Sequence, residues 1–158
     1  MNASDILKYG NDFVLRNLAD LPQDKWEVEN VCGWWSTKNI VAHLASFEHV
    51  LNEILNSFVG SGPTPYLDQF SNHEGNFNDF QVGLRKDKTA QAVLEEYEAR
   101  HAMNMALIGQ IDAETLRRPG TLPWYGAEYA LDDFIVYSFY GHKREHTAQV
   151  NVFKDTLK

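Results

Sequence analysis

Four segments of this chain place apolar residues at every third or fourth position, which is the spacing of one face of an α-helix. Gly- or Pro-rich stretches separate neighbouring segments. No run alternates strictly between apolar and polar residues before a hairpin turn, so β-strands are not predicted. The pattern predicts an all-α fold, in which residues 1–158 form one four-helix bundle domain. Its helices are expected over residues 5–21, 36–59, 89–111 and 132–158.

Local signals support these boundaries. Ser4 and Ser36 precede the first two helices as N-caps, and Pro22 stops the first one. Long connections follow the second and third helices, over residues 60–88 and 112–131. Loops longer than about 12–15 residues in a compact domain are usually functional or carry short structure of their own. We expect these two to cover one end of the bundle.

The charge of the chain limits its expected partners. The formal net charge is −8 at pH 7, and no dense Lys/Arg cluster is present. Because phosphate contacts need a basic face, a nucleic-acid partner is not expected. No apolar run reaches the length of a membrane span, and the first residues do not resemble a secretory signal, so we expect a cytoplasmic protein without a membrane partner. The single cysteine, Cys32, excludes an internal disulfide.

Histidines occupy core-facing positions on two of the predicted helices. His142 and His146 lie four residues apart, which places both rings on one helix face, about 5–6 Å apart at Cβ. His43 has an equivalent position on the second helix, between Ile40 and Phe47. The apolar residues that share the face of the last helix are Ile135, Phe139, Val150, Phe153 and Leu157.

A buried imidazole needs a partner, because leaving a polar group unpaired costs ~1–3 kcal/mol. One metal ion satisfies several rings at once. A set of three histidines leaves a fourth coordination position open, which is typical of catalytic rather than structural zinc sites. The alternative at this stage is that hydrogen bonds or solvent satisfy these histidines without a metal.

Other side chains fit the metal set less well. The zinc-protease motif needs Glu directly after the first histidine, where this chain has Lys143. Glu145 is expected either at the surface, as a partner of Lys143 or of the arginine that follows Lys143, or beside the site, as a group that contacts a metal ligand. Glu48 lies about 140° around the helix from His43 and should not share its metal. His101 is either a fourth ligand or a core histidine bonded to a neighbour.

Two motifs resemble the DinB-like superfamily (DinB/YfiT-like) of four-helix bundle proteins. They are WSTKNIVAHL over residues 35–44 and GHKREHTAQ over residues 141–149. Residues 72–78 and 119–124 are also similar, so the resemblance spans most of the chain. It implies that His43, His142 and His146 bind a divalent metal, with zinc or nickel as the expected ion. It also implies a homodimer.

The resemblance extends to function. Characterised branches of the superfamily include enzymes that use bacillithiol, mycothiol or glutathione, and hydrolases that open reactive electrophiles. We therefore expect a metal-dependent transferase or hydrolase acting on a small electrophile, with a low-molecular-weight thiol as second cofactor in the transferase version. The alternatives are a non-catalytic metal- or small-molecule-binding stress-response protein and a purely structural dimeric bundle. The expected pocket residues are Trp35, Asn76, Tyr97, Arg100, His101 and Trp124.

Overall fold

The computed structural model describes residues 2–72 and 75–158, and all its regular elements in those ranges are helical. This confirms the predicted all-α fold. An isolated bridge between Cys32 and Trp35 is the one β-type pairing in the described residues. The helices are α1 (Ala3–Leu18), α2 (Thr37–Val59), α3 (Pro65–Ser71), α4 (Phe77–Gly83), α5 (Ala90–Ile108), α6 (Ala113–Arg117), α7 (Leu131–Ile135) and α8 (His142–Asp155), with short helical turns at Gln23–Lys25 and Val136–Gly141.

Side-chain caps define where the first two long helices begin. Ser36 Oγ accepts a hydrogen bond from Asn39 N at 3.2 Å, and Asn39 Oδ1 accepts one from Ser36 N at 2.9 Å. This reciprocal capping box starts α2 where the sequence predicted. The cap of α1 differs from the prediction, because Asn2 takes the role expected of Ser4. Asn2 Oδ1 accepts from Asp5 N at 3.2 Å.

Two hydrophobic clusters form the core, and α2 contributes to both. The first contains Ile40, Val41, Leu44 and Ala45 of α2, together with Trp35 and part of α5. The second contains four apolar residues of α2, together with four from the region 131–139; they are Val50, Leu51, Ile54, Leu55, Leu131, Phe134, Ile135 and Phe139. The middle of α2 therefore separates the two apolar clusters, and this is where His43, Ser46 and Glu48 are buried.

The last long helix is interrupted at its middle. It was predicted as one continuous helix from residue 132, and the structure divides it into α7, a π-helical turn at Val136–Gly141 and α8. π-helical turns insert one residue into a helix and often occur at functional sites. Gly10 of α1 faces this turn, where an added Cβ would lie 3.3 Å from Tyr140 Cδ2. A side chain at this position would therefore require the Tyr140 ring to move by a few tenths of an ångström.

The long connections carry short helices of their own. The first holds α3 and α4, and the second holds α6. Trp35 Nε1 donates a hydrogen bond to Asp79 Oδ1 at 3.0 Å, which attaches α4 to the start of α2. Within the described part of the chain, no helix has both the length and the apolar character needed to cross a membrane.

Candidate metal centre

The three histidines singled out in the sequence converge on one point. His43 Nε2 lies 2.7 Å from His142 Nε2, and His146 Nε2 lies 2.9 Å from that same atom. His43 belongs to α2, whereas His142 opens α8 and His146 follows one turn later. Within residues 2–72 and 75–158, they form the one group of three or more His, Cys, Asp or Glu side chains at metal-binding distance.

Burial keeps these rings neutral. His43 is 2% exposed and His146 is 7% exposed, whereas His142 is half-buried. Desolvation, and to a lesser degree the neighbouring imidazoles, lowers the pKa of His43 to about 2 and that of His142 to about 3. Burial also lowers the pKa of His146. At neutral pH each ring therefore has a nitrogen lone pair available for a metal.

A contact at the far side of the His146 ring selects which of its nitrogens is free. Gln149 Oε1 lies 2.8 Å from His146 Nδ1, where it accepts the ring proton. A contact at Nδ1 places the lone pair of this ring at Nε2, as in well-formed metal sites. The backbone of Ser138, in the π-helical turn, raises the pKa of His142 and so opposes part of the effect of burial.

The donor set fits a divalent transition metal. Three Nε2 atoms of neutral rings lie together, with that of His142 at 2.7 Å from that of His43 and at 2.9 Å from that of His146. Facing lone pairs repel unless a proton or a cation lies between them, and one cation satisfies all three. Imidazole ligands suit zinc and nickel among other metals. His43 Nδ1 is buried and has no hydrogen-bond partner in the described residues.

Aromatic rings surround the histidines. The Trp35 ring centroid lies 4.9 Å from that of His43, and Phe47 lies 4.5 Å from His142. Phe47 also contacts Phe70 and Phe77 at 5.4 and 6.0 Å. Phe47 and His142 are half-buried, whereas Trp35 and His43 are buried. The triad is therefore less enclosed on the side of Phe47, which contacts one ring of α3 and one of α4.

The predicted pocket residues have different positions. Trp35 lies against the triad, and Trp124, which is 40% exposed, reaches it through Phe70 at 6.1 Å. Asn76 caps α4 by accepting from Asp79 N at 3.1 Å, and so supports the partner of Trp35. The role of these residues in a pocket stays a prediction.

Three further predicted pocket residues lie on α5. Arg100 Nη1 donates to Asn52 Oδ1 at 3.1 Å. Tyr97 and His101 are buried, with their rings stacked at 6.5 Å. His101 Nδ1 lies 3.5 Å from Glu48 Oε2 and is outside the three-histidine group. Of the two alternatives for His101, a core histidine agrees with this position. The role of His101 in a pocket stays a prediction.

Sequence reasoning missed a buried ion pair. Lys143 was expected at the surface beside Glu145, but its Nζ lies 2.5 Å from Glu48 Oε1 in the core. A signal for this was present: Lys143 continues the buried spacing of Phe139 and is followed by His146, so it falls on the inner face of the helix. Its charge led us to place it outside.

Comparisons with known proteins agree with this architecture. A sequence model of the DinB superfamily matches residues 12–150. The fold is similar to that of the colibactin self-resistance protein ClbS, crystallised in complex with a dsDNA, with a TM-score of 0.74 at 10% identity over 96% of this chain and 93% of that one. It is also similar to a structural-genomics protein from Streptococcus pneumoniae, with a TM-score of 0.71 at 11% identity over 97% of this chain and 88% of that one. No curated protein matches.

One expectation from composition is wrong. The net charge of −8 led us to exclude a nucleic-acid partner. A protein of the same fold has been crystallised with dsDNA, so this exclusion does not hold. The physical reason is that net charge averages over the whole surface, whereas nucleic-acid contacts depend on one local face.

The match over residues 12–150 shows that the chain belongs to the DinB superfamily.

Proposed function

We propose that this DinB-superfamily chain holds one divalent metal ion between His43, His142 and His146 and acts as a metal-dependent transferase or hydrolase on a small electrophile. The observation that carries the proposal is the convergence of three Nε2 atoms, since those of His43 and His146 lie 2.7 and 2.9 Å from that of His142. A bound divalent ion supplies Lewis acidity, which lowers the pKa of a thiol or water nucleophile toward neutrality. Zinc and nickel are the proposed ions.

The protein groups around the triad set its geometry in advance. The amide oxygen of Gln149 holds His146 as its Nδ1–H tautomer. Trp35 and Phe47 pack against the rings and restrict their rotation. Sites whose ligands are held by such contacts lose little entropy on binding, since the rings are already oriented.

The open side of the triad accommodates the substrate. Phe47, Phe70 and Phe77 line the approach to His142, and Trp124 stands at its outer end. These rings bind the apolar part of a small electrophile and exclude water from the reacting atoms. Three protein ligands leave room for one further group, which in the transferase version is the sulfur of a low-molecular-weight thiol.

A second candidate is a non-catalytic binding protein of the stress-response type. The neighbour ClbS is described as a self-resistance protein, and resistance can be achieved by sequestering a reactive compound as well as by destroying it. The aromatic approach to His142 serves either role. The homodimer implied by the resemblance also stays a proposal, and light scattering of the purified protein checks it.

Turnover distinguishes the two candidates. Metal-loaded protein is incubated with electrophiles such as an epoxide and an alkyl halide, with and without a thiol, and product is measured by mass spectrometry. The enzyme proposal expects more product molecules than protein molecules and no turnover with His142→Ala. Binding or adduct formation limited to one equivalent supports the binding protein instead. The exposed-surface variant Tyr137→Ala serves as the matched control, since its side chain is 66% exposed.

A further inference from the structure

A charged pair in the core connects the two helices that carry the histidines. Glu48 is on α2, five residues after His43, and Lys143 is on α8, directly after His142. Lys143 Nζ donates to Glu48 Oε1 at 2.5 Å, and the side chains of Lys143 and Glu48 are 2% and 0% exposed. The ammonium also lies 5.3 Å from the centre of the Tyr97 ring. Both charges are therefore isolated from water.

The Glu48 carboxylate also contacts α5, so that it joins three helices. Asn104 Nδ2 donates to Glu48 Oε2 at 2.8 Å and to the backbone oxygen of Glu48 at 2.9 Å. His101 Nδ1 lies 3.5 Å from Glu48 Oε2. Asn52 of α2 donates to Asn104 Oδ1 at 3.0 Å. The carboxylate thus has partners from α5 and α8 for both of its oxygens.

Stability alone is a weak reason for such an arrangement. Removing two charges from water costs free energy, and replacing a buried ion pair by apolar residues of similar size is often neutral or stabilising. What the pair provides is specificity of register, because a shift of the helices that breaks the hydrogen bond leaves its donor and its acceptor unpaired in the core. Apolar contacts such as those of Val150 tolerate a shift more readily.

The pair and the three histidines lie on the same two helices, α2 and α8, so a shift between these helices affects both. A slip of α8 by one residue turns its side chains by about 100° and moves them by about 1.5 Å. Such a slip turns His142 and His146 away from His43, and it also withdraws Lys143 from Glu48. The register that forms the ion pair is the register in which the three Nε2 atoms converge.

We propose that Glu48 and Lys143 are positioning residues, whose buried hydrogen bond fixes the register of α8 against α2 and α5 and thereby brings His142 and His146 opposite His43. The proposal rests on the proposed function in so far as the triad binds a metal. The pair is expected to determine the geometry of the three histidines rather than the folding stability, and these two effects can be measured separately.

Two variants separate geometry from stability. Glu48→Gln keeps an acceptor oxygen for Lys143 but removes the compensating charge, so it is expected to unfold at a lower temperature while it retains the register. The double variant Glu48→Leu/Lys143→Met fills the same volume with apolar atoms, so it is expected to unfold at or above the wild-type temperature while it loses the register. Leu55→Met, a buried swap elsewhere on α2, is the matched control.

The readout is Co²⁺ affinity and the visible spectrum of the Co²⁺ protein, together with thermal unfolding. We expect Glu48→Gln and Leu55→Met to bind within about 3-fold of wild type, and the apolar double variant to bind about 10–100-fold more weakly, with an altered spectrum. Wild-type affinity and spectrum in the double variant would overturn the proposal. So would affinities that follow stability across the series, or a double variant that does not fold, because the pair would then act on stability.

A metal-free measurement keeps this test separate from the proposed function. Long-range ¹H–¹⁵N spectra of the metal-free proteins report the environment of the His43, His142 and His146 ring nitrogens. We expect the same ring pattern in wild type and Glu48→Gln, and a changed one in the double variant; an unchanged pattern there contradicts the positioning role. If wild type binds no Co²⁺, the proposed function fails. The ring pattern of the metal-free proteins then remains as the test of the positioning role of Glu48 and Lys143.

Discussion

The Nε2 atoms of His43 and His142 lie 2.7 Å apart, although 99 residues separate them in the chain. The contact joins the middle of α2 to the first residue of α8, at the level where the two apolar clusters of the core meet. An interior polar contact of this kind needs a compensating interaction. In the proposed site a shared divalent ion provides it, and the predictions below follow from that proposal.

Acidification is expected to destabilise the metal-free protein. Burial lowers the folded-state pKa values of His43 and His142 to about 2 and about 3, below the ordinary histidine pKa of about 6.5. The unfolded chain therefore binds more protons below that value, and stability falls as the pH decreases. Each histidine contributes up to about 1.4 kcal/mol per pH unit. Urea unfolding of chelator-treated protein from about pH 6.5 to pH 5 measures the slope, which is expected to decrease in His142→Gln and to stay the same in Tyr137→Ala. Equal slopes in wild type and His142→Gln contradict this account.

Gln149 is expected to contribute to metal affinity without touching the metal. Its Oε1 accepts the Nδ1 proton of His146 at 2.8 Å, which directs the Nε2 lone pair toward the other two histidines. Gln149→Leu removes this acceptor, and we expect metal affinity to fall about 10–100-fold. Calorimetric titration with Zn²⁺ measures the change. The exposed neighbour Glu145→Gln is the control, and equal affinities in the two variants would show that Gln149 has no orienting role.

Trp35 is expected to report metal binding by fluorescence. Its ring centroid lies 4.9 Å from His43 and 6.2 Å from His146, closer to the triad than that of Trp124, which contacts it through other rings. Quenching by Co²⁺ decreases steeply with distance, so Trp35→Phe should lose most of the metal-dependent change while Trp124→Phe retains it. Quenching that survives in Trp35→Phe would place the metal elsewhere.

Glu96 is expected to hold in place the segment that joins α4 to α5. It accepts from Arg85 Nη2 at 2.6 Å and from Lys88 Nζ at 2.7 Å, and it lies 3.0 Å from His49 Nε2. Burial alone raises the pKa of Glu96, but these three partners outweigh it and lower that pKa. Glu96→Gln leaves the buried Arg85 uncompensated, so we expect a loss of about 2–4 kcal/mol in the free energy of unfolding.

Chemical denaturation measures this loss against a matched control. Glu95→Gln changes the neighbouring carboxylate, which is exposed and bonds to Gln91. We expect it to alter stability by no more than about 0.5 kcal/mol. If both variants lose the same stability, Glu96 is not a specific anchor of the segment that joins α4 to α5.

The sequence predicted the long helices and the histidine cluster because both depend on spacing. The N-cap at Ser36 and the inner positions of His43, His142 and His146 follow from local periodicity, and the structure has both. The Glu48–Lys143 pair did not follow, since a lysine on an inner face is buried only when a partner on another helix meets it. The π-helical turn could not be predicted from the sequence either, because it depends on how α1 and α8 pack rather than on a local signal.

Metal titration of chelator-treated protein tests the central claim most directly. We expect wild type to bind one Zn²⁺ or Ni²⁺ per chain, and Ala substitution at any of His43, His142 or His146 to abolish stoichiometric binding. His49→Gln, which changes a histidine of α2 outside the triad, should bind one ion as wild type does. Wild-type protein that binds no stoichiometric metal, or triad variants that bind as wild type does, would contradict the account.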